Sequence, residues 1–492
     1  MDVAAGERSR GHARRTLLVV VVASLALKLA LLVPTHDVPV VRDSADYLEN
    51  ACTLLRAGHY GQSGRAPGYP VVLAATFRLA ELAGLRVRCP RDLYAPRGGI
   101  LAVTLARSCQ VSWSTLTVLL AFLLARALFD ERAALATAGL VAFYPNLVGY
   151  SHLLWTETLY VMLSFAWALL LVHGVRRDRW SALGAAGLLL GCGALVRQTG
   201  MPTIGLAVVW LWVLGVPRWR PLLARALVVV AGAALVIAPW TVRNWRVYDQ
   251  VVLISTTGGQ AMLYGASPNV RADLRRLSAR GIRPFTLAYD RAARARAREI
   301  VRHDPSAWVK RMVTINLPSL WHPGYEGVID HLVDEDGYPH VSPGLARLGI
   351  VVVVGSYVLL GVVAMIGLAF APAREARWLV LGLAVLYGVL HTVVWGLPRH
   401  RLPVMAFATL PAGWVLSRRW AEWRQRATPR RVLAAGLGVL AFLTLVWSND
   451  PTMLRRQWEQ AATLPHEARS VAPSGGDAAM EARGTQDEQQ QE

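Results

Sequence analysis

The feature that most constrains this chain is the recurrence of long apolar runs, each closed off by arginine, proline or glycine. They fall at 17–33, 100–125, 133–150, 152–173, 181–196, 199–216, 222–239, 347–370, 377–396, 401–416 and 432–447. Roughly 20 apolar residues cross the hydrocarbon core as a helix, so runs of this kind predict membrane spans. Lipid offers the backbone no hydrogen-bond partners, which leaves helices or closed barrels, and these runs lack the strict alternation of barrel strands. The expectation is an all-α, polytopic membrane bundle of about eleven transmembrane helices.

The charge must then be read loop by loop. A net charge of +20 would suggest nucleic acid in a soluble protein, but in a membrane protein it sets orientation instead, and no nucleic-acid partner is expected. Nearly all of it is arginine; Lys28 and Lys310 are the only lysines. If the amino terminus is cytoplasmic, the short inner loops carry Arg126 with Arg132, Arg176 with Arg177 and Arg179, and Arg218 with Arg220 and Arg225. Further along they carry Arg374 with Arg377, and then the cluster from Arg418 to Arg431. Each agrees with the positive-inside rule. That parity holds only if 69–85, interrupted by Arg78 and Glu81, does not span; it reads as a helix at the outer interface. No small-residue cleavage site follows the first run, so it reads as a retained helix rather than a signal peptide.

The expected organisation is a membrane domain over 1–416 with two long outer segments, 34–99 and 241–346. A basic inner loop and final helix follow over 417–448, and then a tail over 449–492, disordered after about residue 465 by its composition. The localisation expected is the cytoplasmic (inner) membrane. Cys109 and Cys192 fall within apolar runs, whereas Cys52 and Cys89 share the first outer segment. A disulfide there is open to them only in an oxidising compartment.

Polar residues at the outer boundary are informative, because a charge at that depth must be solvated, paired or used. They come in groups: Arg42, Asp43, Ser44, Asp46 and Tyr47; Arg65 to Pro70, including Tyr69; Trp155 to Thr158 with Glu157, and His152 one turn before; Arg197; Pro239 to Asn244 with Arg243, followed by Ser255 to Gly259; and Arg399, His400 and Arg401. Each has a purely structural alternative. Asp43 fits a helix cap. Glu157 and Arg197 fit an ion pair holding two spans together. Arg399 and Arg401 fit interfacial anchors. The segment 285–302, with Arg291, Arg294, Arg298 and Arg302 on neighbouring turns, reads first as a solvated basic face. Trp321 to Gly324 reads first as loop packing, and His331 with Asp334 to Asp336 as a solvated turn, its spacing matching no cation site.

Taken in order, these motifs resemble the membrane glycosyltransferases of the GT-C fold, especially the protein O-mannosyltransferase and aminoarabinose-transferase-like branch, over about residues 15–416. The elements are Asp-x-x-x-Tyr at 43–47, Arg-x-Pro-Gly-Tyr-Pro at 65–70, Thr-Glu-Thr-Leu at 156–159, Pro-Trp-x-x-Arg-Asn at 239–244 and Arg-x-Arg-x-Pro at 399–403. The resemblance implies that Asp43 is the catalytic carboxylate. The family often has a second acid directly after it; here that position is Ser44, with Asp46 two residues on.

Beyond the cytoplasmic membrane there is no nucleotide-sugar pool, so a transfer there requires a donor carried on a lipid such as a polyprenyl phosphate. Phosphate is already a good leaving group; the protein needs a base for the acceptor hydroxyl and cations for the phosphate. Asp43 is the expected base, with Asp46 beside it, and inversion at the anomeric centre follows from a single displacement. Arg243, Arg399 and Arg401 are the expected phosphate contacts, since a guanidinium fork matches phosphate oxygens; His400 is a further candidate. Tyr47, Arg65, Tyr69, Glu157, Arg197 and Asn244 complete the expected substrate-binding set. No metal and no cofactor are called for, and the acceptor is an envelope glycan, lipid or protein hydroxyl. The rival readings are a transporter or flippase of lipid-linked sugars, and a non-catalytic envelope assembly protein. A transporter is expected to show duplicated halves with broken helices at the midplane, and no internal repeat is visible. The topology is tested by a thiol engineered near Tyr47: it should react with an impermeant maleimide from the non-cytoplasmic side, and reaction from the cytosolic side alone would overturn the orientation.

Overall fold

The computed structural model describes residues 2–35, 40, 43–60, 63–89, 101–216, 218–324, 328–329, 341–448 and 452–463. Each apolar run of the sequence carries helix, the run 133–150 being divided at Tyr144 and the run 152–173 becoming helical from Glu157, and no strand occurs among the described residues. In chain order the first elements are α1 (Asp2–Thr35), α2 (Asp43–Ala57), α3 (Gly68–Leu82), α4 (Leu101–Leu128), α5 (Glu131–Phe143), α6 (Pro145–Tyr150) and α7 (Glu157–Arg176). The middle of the chain gives α8 (Trp180–Val196), α9 (Pro202–Val213), α10 (Trp219–Tyr248), α11 (Gly258–Ala266), α12 (Val270–Ala279), α13 (Leu287–His303), α14 (Pro305–Arg311) and α15 (Leu317–Trp321). The rest forms α16 (Pro343–Phe370), α17 (Arg374–Val393), α18 (Leu402–Leu416), α19 (Trp420–Arg426), α20 (Pro429–Trp447) and α21 (Thr452–Thr463).

Seven helices among the described residues are long and apolar enough to cross a membrane: α1 from Gly11, α4, α7, α10, α16, α17 and α20. The protein is an all-helical integral membrane protein. The remaining four runs of the sequence appear as shorter helices: α5 with α6, α8, α9 and α18. The doubtful stretch at 69–85 is α3, a helix of 15 residues on which Arg78 donates to Glu81 at 3.1 Å on an exposed face.

Burial sorts the spans. α7 sits at the centre with most of its side chains covered, whereas α1 and α20 lie at the periphery and turn apolar side chains such as Val19 and Leu440 outward. Lipid tails are as apolar as these side chains, so helix association in the bilayer depends on close packing rather than on the hydrophobic effect. The interface of α8 with α10 shows this. A Cβ on Gly187 would collide with the carbonyl oxygen of Val229, and one on Gly232 would stand 2.6 Å from the carbonyl oxygen of Gly184. At the centre Phe165 of α7 stacks on Phe407 of α18 with centroids 4.3 Å apart, and Tyr387 of α17 donates to the Tyr160 hydroxyl at 2.8 Å.

Three further ties hold the loops and helix ends together. Cys52 of α2 and Cys89 form a disulfide, so the pairing left open by the sequence is made. His152 and Arg401, both buried, act as clamps. His152 contacts the backbone oxygens of Val148 and Lys28 at 3.0 Å each, and Arg401 donates to the carbonyls of Leu320 and His322 at 2.7 and 2.9 Å. The loop containing Trp321 and His322 is therefore packed, with Tyr357 donating to the Trp321 carbonyl at 2.9 Å. Arg42, His331, Asp334 to Asp336 and the carboxyl tail lie outside the described residues.

Gly187→Ala should force α8 and α10 apart and destabilise the protein by about 1–3 kcal/mol, the usual cost of overpacking. Gly184→Ala, whose added atom meets only Val228 at 3.8 Å, should leave thermal unfolding in detergent within about 0.5 kcal/mol of native. Equal melting of the two variants would sink this account of the interface.

Candidate functional site

The site grows from the first turn of α2. Asp43 and Asp46 stand three residues apart there, on one helical face, where the positive end of the helix dipole favours carboxylates. Arg65, brought back by the loop that precedes α3, bridges them: its Nη2 donates to Asp43 Oδ1 at 2.7 Å and its Nε to Asp46 Oδ2 at 3.0 Å. The other Asp43 oxygen, Oδ2, accepts from Arg399 Nη1, also at 2.7 Å, from a residue 356 positions away in the chain. Both Asp43 oxygens are thus engaged by arginines, and the side chain remains 21% exposed.

Aromatic rings hold both cations in place. The Arg65 guanidinium lies 4.7 Å from the centre of the Phe285 ring and 5.5 Å from that of Tyr47, and Arg399 lies 5.0 Å from that of Trp155. A ring face attracts a cation while leaving the guanidinium edges free for oxygen ligands. Tyr47 packs edge-on against Tyr69 at 5.3 Å. The Tyr69 hydroxyl accepts from Gln110 Nε2 at 3.0 Å, and the same amide reaches the carbonyls of Leu153 and Trp155 at 2.7 Å each. This chain ties α2 through α4 to the start of α7.

At the start of α7 Glu157 pairs with Arg197, with side chains only 3% and 10% exposed. Arg197 Nη1 also donates to Thr156 Oγ1 at 3.2 Å. The pair joins α7 to the turn between α8 and α9, as the structural alternative expected, and it also faces the site. A cavity of about 390 Å³ opens among Asp43, Arg65, Trp155, Glu157, Arg197 and Arg399, with His400, Gln198, Ser255 and Thr257 on its walls.

Not every expected residue meets there. Asp46 lines a separate small pocket on the far side of Arg65. Tyr69 is fully buried behind Tyr47. Arg243 stacks on Trp240 at 4.8 Å beside another pocket. Asn244 is spent on the carbonyls of Val252 and Ile254 at 2.9 and 3.2 Å, and Arg401 on the 320–322 loop. Conversely, Gln198 and Thr199 line the cavity although sequence reasoning passed over them; their one signal was adjacency to Arg197. Along α13, Arg294 turns to Asp290 at 2.9 Å, whereas Arg291, Arg298 and Arg302 are exposed.

Charge follows from this geometry. Burial alone would raise the Asp43 carboxyl, but the charges of Arg399 and Arg65 and the hydrogen bonds from them outweigh it and hold the group below its ordinary value. Burial pushes the Tyr47 phenol up, so it stays protonated. Burial, with His391, Arg399 and Arg197 nearby, pushes His400 well below its ordinary value and leaves it neutral. Its Nδ1 contacts the Trp395 carbonyl at 3.0 Å. Among the described residues no cluster of side chains fit to hold a metal ion occurs.

Residues 102–245 match the family model of dolichyl-phosphate-mannose-protein mannosyltransferases. The match spans the Thr-Glu-Thr-Leu and Pro-Trp-x-x-Arg-Asn motifs and bears out the resemblance to the protein O-mannosyltransferase-like branch of the GT-C glycosyltransferases; the loop with Asp43 and the motif with Arg399 fall outside it. Three solved structures are similar over most of this chain. The apo oligosaccharyltransferase of Archaeoglobus fulgidus aligns with 92% of this chain and 56% of its own, at 14% identity and a TM-score of 0.49. The same organism's oligosaccharyltransferase AglB, in complex with an inhibitory peptide and a dolichol-phosphate, aligns with 91% and 56% at 16% identity and a TM-score of 0.49. ArnT from Cupriavidus metallidurans, bound to undecaprenyl phosphate, aligns with 91% and 74% at 16% identity and a TM-score of 0.45. The chain thus spans just over half the length of the oligosaccharyltransferases it matches. No curated protein sequence matches it.

The sign of the Asp43 shift sets a pH test. A carboxylate lowered below 3.8 contributes stability that is fully present above the unfolded value and is lost only as pH falls through the lower, native one. The melting temperature of native protein should therefore carry no Asp43 contribution to its pH dependence above about pH 5. Arg65→Gln removes one of the two cations and moves the native value back toward the unfolded one, so the acid-dependent loss should end at higher pH and be smaller than in native protein. Overlapping melting profiles for native and Arg65→Gln protein between about pH 3 and 6 would remove Arg65 as a determinant of the Asp43 charge.

Proposed function

We propose that this protein is a membrane glycosyltransferase that moves a sugar from a polyprenyl-phosphate donor onto an acceptor hydroxyl at the non-cytoplasmic face, with inversion and with Asp43 as general base. The observation that carries this reading is the carboxylate of Asp43 held between Arg65 and Arg399 on the wall of the cavity. A base and phosphate-binding cations are the two things the reaction asks of the protein, and here they are in contact.

In the step proposed, the acceptor oxygen attacks the anomeric carbon while its proton passes to Asp43. The bond from that carbon to the phosphate oxygen breaks, and the electron pair leaves with the polyprenyl phosphate. Arg399 neutralises the charge that grows on this oxygen, the kind of fixed electrostatic support that lowers such barriers most. As it stands, Asp43 is a weak base, because two cations favour its ionised form. The donor phosphate competes with Asp43 for Arg399. Once that contact is given up, the Asp43 oxygen facing the cavity becomes the more basic one, so donor binding activates the base. Arg65, still bridging Asp43 to Asp46, keeps the carboxylate aimed. Glu157, Arg197, Gln198 and Ser255, which also line the cavity, are the residues proposed to hydrogen-bond sugar hydroxyls.

The orientation with a cytoplasmic amino terminus in the inner membrane draws support from two independent features. The arginine clusters sit in the short loops assigned to the cytoplasm, and the Cys52–Cys89 bond suits an oxidising compartment around α2.

Purified protein given radiolabelled polyprenyl-phosphate sugars and an envelope extract should transfer label. Asp43→Asn should lose at least about a hundredfold in kcat, the usual contribution of a general base. Arg399→Ala should lower kcat by a comparable factor. Transfer by Asp43→Asn at the native rate would remove Asp43 from the reaction, and movement of lipid without transfer would favour a transporter.

A further inference from the structure

A second cavity of about 790 Å³ lies away from Asp43, between α12, α13 and α14. Three acids line it, and each is already engaged within the fold. Asp273 accepts from Ser267 Oγ at 2.6 Å and from Arg296 Nε at 2.9 Å. Glu299 pairs with Arg296 at 3.1 Å. Asp304 starts α14 by accepting from the Ala307 amide at 2.9 Å and from Ser306 Oγ at 2.7 Å.

Two of the cations are not matched in the same way. Lys310 and Arg311 line the cavity side by side, and among the described residues no carboxylate lies within ion-pair distance of either. Two adjacent cations on one cavity wall with no carboxylate of their own fit one small anionic group such as a phosphate or carboxylate. Trp308 adds a flat aromatic wall beside them.

The surroundings say where such an anion comes from. Val309, Val313 and Ile315, on the same segment, are 48%, 58% and 43% exposed. Exposed aliphatic side chains interleaved with Trp and Lys mark a segment at the level of lipid headgroups. This segment is fastened to the end of α17, because Asn316 Nδ2 donates to the carbonyls of Thr392 and Gly265 at 2.9 Å each. α11 joins the two cavities. Its residues Gly258 and Ala261 line the cavity that holds Asp43, and its last residue, Ala266, lines the second. At 1.5 Å of rise per residue, the ends of this helix stand about 12 Å apart, a span that a short run of sugar units covers.

We propose that the second cavity binds the anionic headgroup of a membrane-anchored acceptor, with Lys310 and Arg311 on the anion and Trp308 against an adjoining ring, so that a hydroxyl farther along the headgroup reaches Asp43. Its role as an acceptor subsite rests on the transfer activity proposed above, whereas anion binding does not. The probe is dioleoyl phosphatidic acid, offered to delipidated full-length protein beside dioleoyl phosphatidylcholine and inorganic phosphate, with retention read by native mass spectrometry. Native protein should retain phosphatidic acid in preference to both. Lys310→Gln/Arg311→Gln should weaken that retention by at least about tenfold, and the charge-preserving swap Lys310→Arg/Arg311→Lys should restore it, which separates loss of charge from loss of fold. Equal retention by the double variant, or equal binding of phosphatidylcholine, would overturn the anion site. Inorganic phosphate binding as well as phosphatidic acid would overturn the membrane-anchored source. In the transfer assay, added phosphatidic acid should raise KM for the acceptor with kcat unchanged in native protein and leave KM unmoved in the double variant; an unmoved KM in native protein would reassign the cavity to a bulk lipid and overturn the acceptor role. Asp43→Asn should abolish transfer while keeping native phosphatidic acid retention, so failure of the transfer reading and failure of the anion site give different results.

Discussion

The contact on which the site depends is the one between Asp43 and Arg399. It joins the first helix after the first span to the turn before α18, from opposite ends of the membrane domain. A carboxylate and a guanidinium partly withdrawn from water are each costly alone, and together with Arg65 they form a group whose charges are balanced in place. The arrangement fixes three otherwise separate loops around one space. It also leaves a reserve: cations already ordered for one carboxylate are ordered for any competing anion of similar shape.

The helices beneath serve this arrangement. Small residues let α8 and α10 approach to backbone contact, which sets the turn carrying Arg197 opposite the start of α7. The buried Glu157–Arg197 pair then does two things at once, fastening α7 to that turn and facing the cavity. The disulfide of Cys52 with Cys89 constrains α2 from its other side, so the helix bearing Asp43 is held at both ends. Rigid support of this kind is what a transfer reaction needs if donor and acceptor are to meet in one geometry.

The two cavities differ in a way that fits different tasks. Near Asp43 the charges are paired within the protein, so an anion binding there would compete with a partner already in place. Around Lys310 and Arg311 the acids are satisfied by other partners, and these two cations line the cavity without a carboxylate of their own. The first arrangement suits an anion that arrives, reacts and leaves; the second suits one that stays bound while another part of its molecule reacts.

The sequence by itself determined the helices. Apolar runs of spanning length allow little else in lipid, and each of them carries helix in the structure. It also determined which residues carry charge at the outer boundary, because charges there are rare enough to stand out. What it did not determine is which of them face one another. Arg399 and Arg401 are two residues apart and looked equivalent, yet the short helical turn at 398–401 sends the first to Asp43 and the second beneath the loop at 320–322. Arg243 and Asn244 sat in a motif as suggestive as the others, and the packing of α10 directs them to another pocket and to backbone carbonyls. Gln198 gained a place on the cavity wall only because a turn follows Arg197. Hydrophobic length is a local property that can be counted along the chain, whereas the direction of a side chain at a helix end depends on its neighbours in space, and only the tertiary structure decides that.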